Sequence, residues 1–298
     1  MGKQDALPLL SIVVPVFKMA GKFGNLEGWL STLSEEGVEV VIVHDKGDEE
    51  TGPELARILS KLNSRKIRFF EVGFKSPGLT RNFGLERSTG QWVQFVDSDD
   101  VPEINKSMEL VNESTVGTEV IQGLFVYHDL ITNDSRPIKR SKDLRIDIAM
   151  NPGLWRFIFT RDSIKDMKFS EHRMGEDQLF LLDYGIFSRK VFYSDLYIYS
   201  YCVGQPGQLT SARNSVKDLS QIIPLTFTKF RECDLAVAEY IAVMLARQLI
   251  TFTKNFPSLA LSYVLKPLAM HIFKLPLQKN LWLMRSFLTI LRERKKGL

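Results

Sequence analysis

The chain has 298 residues, 44% hydrophobic and 25% charged, which describes a globular protein with ample core-forming material, one large domain or two modest ones. Its two cysteines, Cys202 and Cys233, have no metal-ligand spacing and exclude a disulfide framework, so reduced thiols in a cytosolic setting are expected. The net charge of +4 is uneven, because residues 251–298 hold nine Lys or Arg against one Glu and leave −4 on the rest.

The apolar run Leu7 to Phe17 is broken by Pro8 and Pro15 and lacks a basic start and a cleavage site, so it reads as a first strand and not as a secretory signal. From there "LSIVVPVF", a helix-like segment over 21–35, "VEVVIVH", 52–62, "KIRFFEV", 77–88 and "QWVQFV" alternate strand and helix periods. That alternation predicts an α/β fold, a mostly parallel sheet covered by helices, with its ligand crevice at the carboxyl ends of the strands. Between 118 and 203 longer strand-like runs, a polar excursion near 132–147 and a helix-like segment after Gly175 predict a mixed sheet with a flexible loop over it.

From about 216 helical spacing dominates, with Leu281, Met284, Leu288 and Leu291 on one face and Arg285, Arg292 and Arg294 elsewhere. The greasiest stretch, 258–277, is interrupted by Lys266, Pro267, Lys274 and Pro276, so no transmembrane helix is expected. The reading divides the chain into a catalytic domain over 1–215, with halves over 8–117 and 118–215, and a helical basic region over 216–298.

The strand "QWVQFV" runs into Asp97-Ser98-Asp99-Asp100. In an extended segment Asp97 and Asp99 project to one side, while Asp100 points away and is positioned to cap a helix beginning near Pro102. Two converging carboxylates suit Mg²⁺ or Mn²⁺ bound together with substrate phosphates, and a solvated, capped turn is the plainer alternative. Other strand ends carry Pro15, Val16 and Phe17, and then Asp45 in "VVIVHDKGDEETG". Ser76-Pro77 is a strong helix start whose amide-rich end suits anionic groups, and Arg81 follows on that helix. Further on, "GEDQLF" at 175–180 opens an amphipathic segment with Glu176 and Asp177.

In order and spacing these motifs resemble the family 2 glycosyltransferases, inverting nucleotide-sugar enzymes with the GT-A fold. "SPGLTRNFGLERSTGQWVQFVDSDD" looks like that family's Arg-Asn helix and D-x-D strand, "GEDQLF" looks like its Glu-Asp motif, and the matches run from about residue 10 to about 210. The resemblance implies that Phe17 stacks on the base, Asp45 accepts a hydrogen bond from it, and Pro15 and Val16 add backbone contacts. It implies Arg81, Asp97 and Ser98 on the nucleotide, Asp99 with Asp97 on Mn²⁺ or Mg²⁺, Asp177 as the base that deprotonates the acceptor, and Glu176 and Trp155 on the acceptor. Structural alternatives stand beside each: a core aromatic at Phe17 or Trp155, a turn aspartate at Asp45, a surface ion pair of Arg81 with Glu86 or Glu103, and acids favouring a helix start at Glu176 and Asp177.

Three departures matter: His44-Asp45-Lys46-Gly47 replaces the usual Asp-Asp-Gly-Ser, "YCVGQPGQLTSARN" contains no late metal-site histidine, and the Gln-x-x-Arg-Trp motif of processive synthases is missing. The implied activity is metal-dependent, inverting transfer of a sugar from a nucleoside diphosphate, UDP by preference, to a hydroxyl of a glycan or lipid-linked acceptor in polysaccharide assembly. A nucleotidyltransferase and a non-catalytic, membrane-docked nucleotide-binding subunit are the alternatives. The segment with Trp282, Phe287 and the terminal "RERKK" suits either an anionic membrane surface or packing on the catalytic domain, and nucleic acid is not expected. The expected location is the cytoplasm, peripheral to the inner face of the cell membrane.

Overall fold

A computed structural model describes residues 7–33, 36–205, 208, 216–260 and 275–295. The chain forms two compact units: one comprises Met1–Lys139, Gly153–Glu171 and Arg189–Gln208, the other Arg140–Pro152, His172–Ser188 and Leu209–Leu298.

The first unit contains a nine-stranded sheet. Its first half is β1 (Leu10–Val16), α1 (Gly24–Ser31), β2 (Val38–Asp45), α2 (Thr51–Leu62), β3 (Ile67–Val72), α3 (Pro77–Arg87) and β4 (Trp92–Phe95). β1 pairs in parallel with β2 and β4, and β2 with β3. Every residue of β2 is buried, which explains the apolar run Val40–Val43 at its centre: a parallel strand covered on both faces needs no polar alternation. The register sets Val16 beside His44 and His44 beside Glu71, so the carboxyl ends of β1, β2 and β3 are level.

α3 begins as its sequence requires, with the Ser76 side chain accepting a bond from the Leu79 amide and Pro77 in the first turn. Its close seat on β1 depends on Gly84, where a Cβ would come within 2.4 Å of Val13 Cγ1.

The second half comprises β5 (Val101–Pro102), α4 (Ile104–Glu113), β6 (Val120–Asp129), β7 (Asp134–Pro137), β8 (Phe157–Thr160) and β9 (Val191–Val203). β8 lies antiparallel between β4 and β6, β9 runs parallel to β6, and β5 pairs antiparallel with β9. The polar stretch expected as a flexible loop is partly ordered: β7 folds back on β6, Val126 opposite Pro137 through Asp129 opposite Asp134. A one-turn helix, α6 (Arg161–Ile164), follows β8.

The second unit is helical among the described residues: α5 (Leu144–Met150), α7 (Glu176–Tyr184), α8 (Leu219–Glu232), α9 (Leu235–Asn255) and α10 (Leu277–Lys295). Among the described residues one helix, α9, is long and apolar enough to cross a membrane by length and composition, while residues 261–274, the bulk of the stretch on which the expectation of no transmembrane helix rests, lie outside the described residues. More than half of the apolar stretch of α9 is buried inside the protein, as a core helix would be. α10 is anchored by Lys279, whose Nζ donates to the carbonyls of Phe230, Arg231 and Cys233 at 2.9, 2.8 and 2.7 Å, satisfying acceptors that the end of α8 leaves open.

The sheet and its helices, followed by a helical C-terminal region, form a GT-A fold.

Candidate active site

β4 stops at Phe95, and the four residues from Asp97 form a turn closed by a bond from the Asp100 amide to the Asp97 carbonyl at 3.2 Å. The acidic tetrad is therefore not extended, and Asp100 does not cap the following helix, whose N-cap is Glu103. Asp100 instead faces β9: it accepts from the Tyr199 hydroxyl at 2.8 Å and the Cys202 amide at 2.7 Å. The same hydroxyl accepts from the Asp97 amide at 3.1 Å, so one fully buried tyrosine fixes both ends of the turn.

Burial, then the charges of Asp99 and Asp97, pushes the Asp100 carboxyl well above the usual range. Burial and Asp97 also raise Asp99, against a lowering bond from Gln208. Burial and the charge of Asp100 raise the Cys202 thiol to about 12, so it stays protonated and unreactive.

Two further groups hold the Asp99 side of the turn. Gln208 Nε2 donates to Asp99 Oδ2 at 2.9 Å and to the Cys202 carbonyl at 2.7 Å, while its Oε1 accepts from the Gly204 amide at 2.9 Å. Asn25 donates to the Asp99 carbonyl at 2.7 Å. On the other side, buried Arg81 reaches Asp97 Oδ1 at 2.7 Å, replacing the surface partners Glu86 and Glu103. Its neighbour Asn82 clamps the Phe169 backbone, donating to the carbonyl at 2.9 Å and accepting from the amide at 2.8 Å.

Asp45 is buried and engaged by the start of α3: it accepts from the Lys75 amide at 2.8 Å, the Ser76 amide at 3.0 Å and the Thr80 hydroxyl at 3.0 Å. Beside it, buried His44 lies with Nδ1 3.3 Å from Glu71, which also pairs with Lys46 at 3.2 Å. The Phe17 ring is exposed on one side and lies against Gly47, where a Cβ would come within 2.3 Å of it. Val16 and Ser98 are buried and Pro15 is half-buried. Trp155 is stacked flat over Tyr199 and Tyr201, with centroids 4.5 and 5.4 Å away, and meets Phe125 edge-on.

In the helical unit, Glu176 and Asp177 open α7. Gly175 before them has φ +84°, and a Cβ there would come within 3.1 Å of Ile222 on α8, so only glycine fits without strain. Asp177 Oδ1 accepts from the Gln178 amide at 2.7 Å, and Gln178 accepts from Gln248 of α9 at 2.9 Å.

Hard carboxylate oxygens suit Mg²⁺ or Mn²⁺. No group of three His, Cys, Asp or Glu side chains forms a metal cluster among the described residues. Asp97 and Asp99 could supply one or two carboxylates to a cation completed by phosphate and water, and such a cation would offset both the burial and the Asp97 charge that raise Asp99.

The glycosyl transferase family 2 model matches residues 11–188, more than half of the chain. The chain belongs to that family. An uncharacterized glycosyltransferase of Haemophilus influenzae is 27% identical over 183 residues, 59% of this chain and 72% of that one. The poly(ribitol-phosphate) β-N-acetylglucosaminyltransferase TarS of Staphylococcus aureus is 25% identical over 250 residues, 76% of this chain but only 41% of TarS. The crystal structure of TarS 1–349 in complex with UDP-GlcNAc superposes with a TM-score of 0.64 at 18% identity, covering 97% of this chain and 92% of that one. A mannosyltransferase of Pyrobaculum calidifontis, in complex with GDP-Man and Mn²⁺, superposes with a TM-score of 0.58 at 13% identity, covering 94% and 84%.

Within this family 2 chain, sequence reasoning brought Arg81, Asp97, Ser98 and Asp99 into one turn-and-helix constellation, which the structure assembles. It missed Tyr199, Gln208, Asn25 and Asn82. Tyr199 lies in an alternating aromatic strand where core packing alone accounts for it, and Gln208 lies in a polar stretch with no residue pattern that sets it apart.

Proposed function

We propose that the chain transfers a sugar from a nucleoside diphosphate, UDP by preference, to a hydroxyl of a glycan or lipid-linked acceptor in polysaccharide biosynthesis, by direct displacement with inversion. The observation that carries this reading is the turn from Asp97 to Asp100, fixed by Tyr199, Arg81 and Gln208, whose crowded carboxylates favour a divalent cation bound with phosphates. The UDP-GlcNAc complex of TarS supports the donor class, and the Mn²⁺ complex of the mannosyltransferase supports the cation.

In this reading Asp99, with Asp97, holds Mn²⁺ or Mg²⁺, which when bound neutralises charge on the departing diphosphate. Arg81 sets the Asp97 carboxylate and adds positive charge toward the phosphates. Phe17 offers its exposed side to the base, with Pro15, Val16 and Asp45 at that end, while Ser98 lies with Asp97 toward the ribose and the cation. Asp45 acts there chiefly by holding the start of α3 through its three donors. A sugar hydroxyl is a weak nucleophile at neutral pH, so it needs a carboxylate to take its proton, and Asp177 serves as that base with Glu176 and Trp155 toward the acceptor.

Calorimetric titration of UDP and GDP with and without Mn²⁺, on wild type, Asp99→Asn and Asp177→Asn, tests the reading. The expected outcome is Mn²⁺-dependent UDP binding, abolished in Asp99→Asn and retained in Asp177→Asn, which loses transfer from UDP-sugars. Release of pyrophosphate instead of UDP would replace the proposal with nucleotidyl transfer.

A further inference from the structure

α10 has two opposite faces with different fates. Lys279, Leu283, Ser286 and Ile290 are buried, at helical spacing along one side. At about 100° per residue the opposite side carries Leu277, Leu281, Met284 and Leu288, which are 76%, 39%, 55% and 48% exposed. Single exposed leucines are ordinary, but four successive apolar side chains on one stripe form a continuous patch. The helix cannot turn this stripe inward, because Lys279 ties the other face to the end of α8.

Charge identifies the occupant. Arg285 is exposed beside the stripe, and the sequence goes on to Arg292, Arg294, Lys295 and Lys296 against the single acid Glu293. A protein surface that covered the stripe would need acidic partners for this end of the helix, and the chain's own 251–298 segment offers one Glu against nine bases. A surface that is apolar beneath and anionic above meets both requirements at once. We infer that α10 is a membrane-docking helix, lying in the headgroup region of an anionic lipid surface with Leu281, Met284 and Leu288 inserted and Arg285 at the phosphates. This goes beyond the glycosyl-transfer reading and does not depend on it, since the stripe contains none of the residues assigned to donor, cation or acceptor.

The test is flotation of the full chain with vesicles of phosphatidylcholine alone or mixed with phosphatidylglycerol, without nucleotide, at low and high salt. Expected is co-flotation with the mixed vesicles only, weakened by salt. The exposed substitutions Leu281→Gln, Met284→Gln and Leu288→Gln together should lower partitioning at least about tenfold. Arg285→Gln should lower it about fivefold. Circular dichroism and UDP titration on the same variants report intact folding and an unaffected donor site. Absence of binding, equal binding to both vesicle types, or an oligomer in light scattering that the triple variant dissolves would overturn the inference, the last in favour of a second copy on the stripe.

Discussion

Tyr199 concentrates several jobs of the site in one hydroxyl. It accepts from the Asp97 amide and donates to Asp100, while burial and the nearby Asp100 and Asp97 charges hold its pKa well above the ordinary phenol value, so it remains a donor at any working pH. Tyr199→Phe keeps the stack with Trp155 but leaves the Asp97 amide without its acceptor and Asp100 with only the Cys202 amide as donor. An unsatisfied buried polar group costs about 1–3 kcal/mol, so urea unfolding should show a loss in that range, together with weaker Mn²⁺-dependent UDP binding as the turn loosens. Phenylalanine variants indistinguishable from wild type in both measurements would remove Tyr199 from the support of the site. Asp97 and Asp99 were legible because charge at a buried strand end is anomalous. Tyr199 was not, because an aromatic in a strand is what core packing alone would choose.

At the scale of elements, the strands and helices of the first half were legible because each obeys one period and ends at a clear signal, as Ser76-Pro77 does for α3. What could not be read was how elements meet. β8 enters the sheet antiparallel between β4 and β6 from a distant part of the chain, and no local pattern encodes that neighbour. Glu39 shows the same limit: a carboxylate inside an apolar strand looks out of place until β1, β2, β3 and the turn after α3 are assembled around it. It accepts from Ser11 Oγ at 2.6 Å, Thr89 Oγ1 at 2.9 Å, the Gly90 amide at 3.2 Å and Arg68 at 3.2 Å, and also from the Thr89 amide. Burial alone would raise its pKa, but the bonds from Ser11 and Thr89, with Arg68 behind them, outweigh it and hold the carboxyl below the ordinary value of 4.5. A depressed carboxylate binds fewer protons folded than unfolded, so its contribution is complete above 4.5 and is lost as pH falls through the lower folded value. Glu39→Gln should therefore be less stable than wild type at neutral pH and show a flatter acid limb below that point in denaturant titrations across pH. An unchanged acid limb would show that the network contributes nothing to acid sensitivity.

For the whole molecule, the sequence offered a boundary where strand signals end, but the chain enters the helical unit earlier, with Arg140–Pro152 and His172–Ser188, before Leu209. Short inserted helices carry no compositional break, so a reading in chain order joins them to the sheet. The division predicts two regions of different resistance to unfolding, and Lys279 is the position at which to probe it. It is buried, and its ammonium bonds three carbonyls at the end of α8 where the helix dipole is negative. Lys279→Met keeps the length and apolar stem of the side chain but removes the ammonium donor from all three carbonyls, leaving Phe230 only the Cys233 thiol. Charge-assisted bonds contribute about 1.5–3 kcal/mol each, though three sharing one ammonium do not add fully, so a loss of about 3 kcal/mol is expected. Hydrogen exchange read by mass spectrometry should then show protection falling over 219–232 and 277–290 while β1, β2 and β4 keep theirs. Protection lost evenly along the chain would mean that sheet and helices unfold as one cooperative body, and protection unchanged everywhere would mean that α10 is held by its apolar contacts alone.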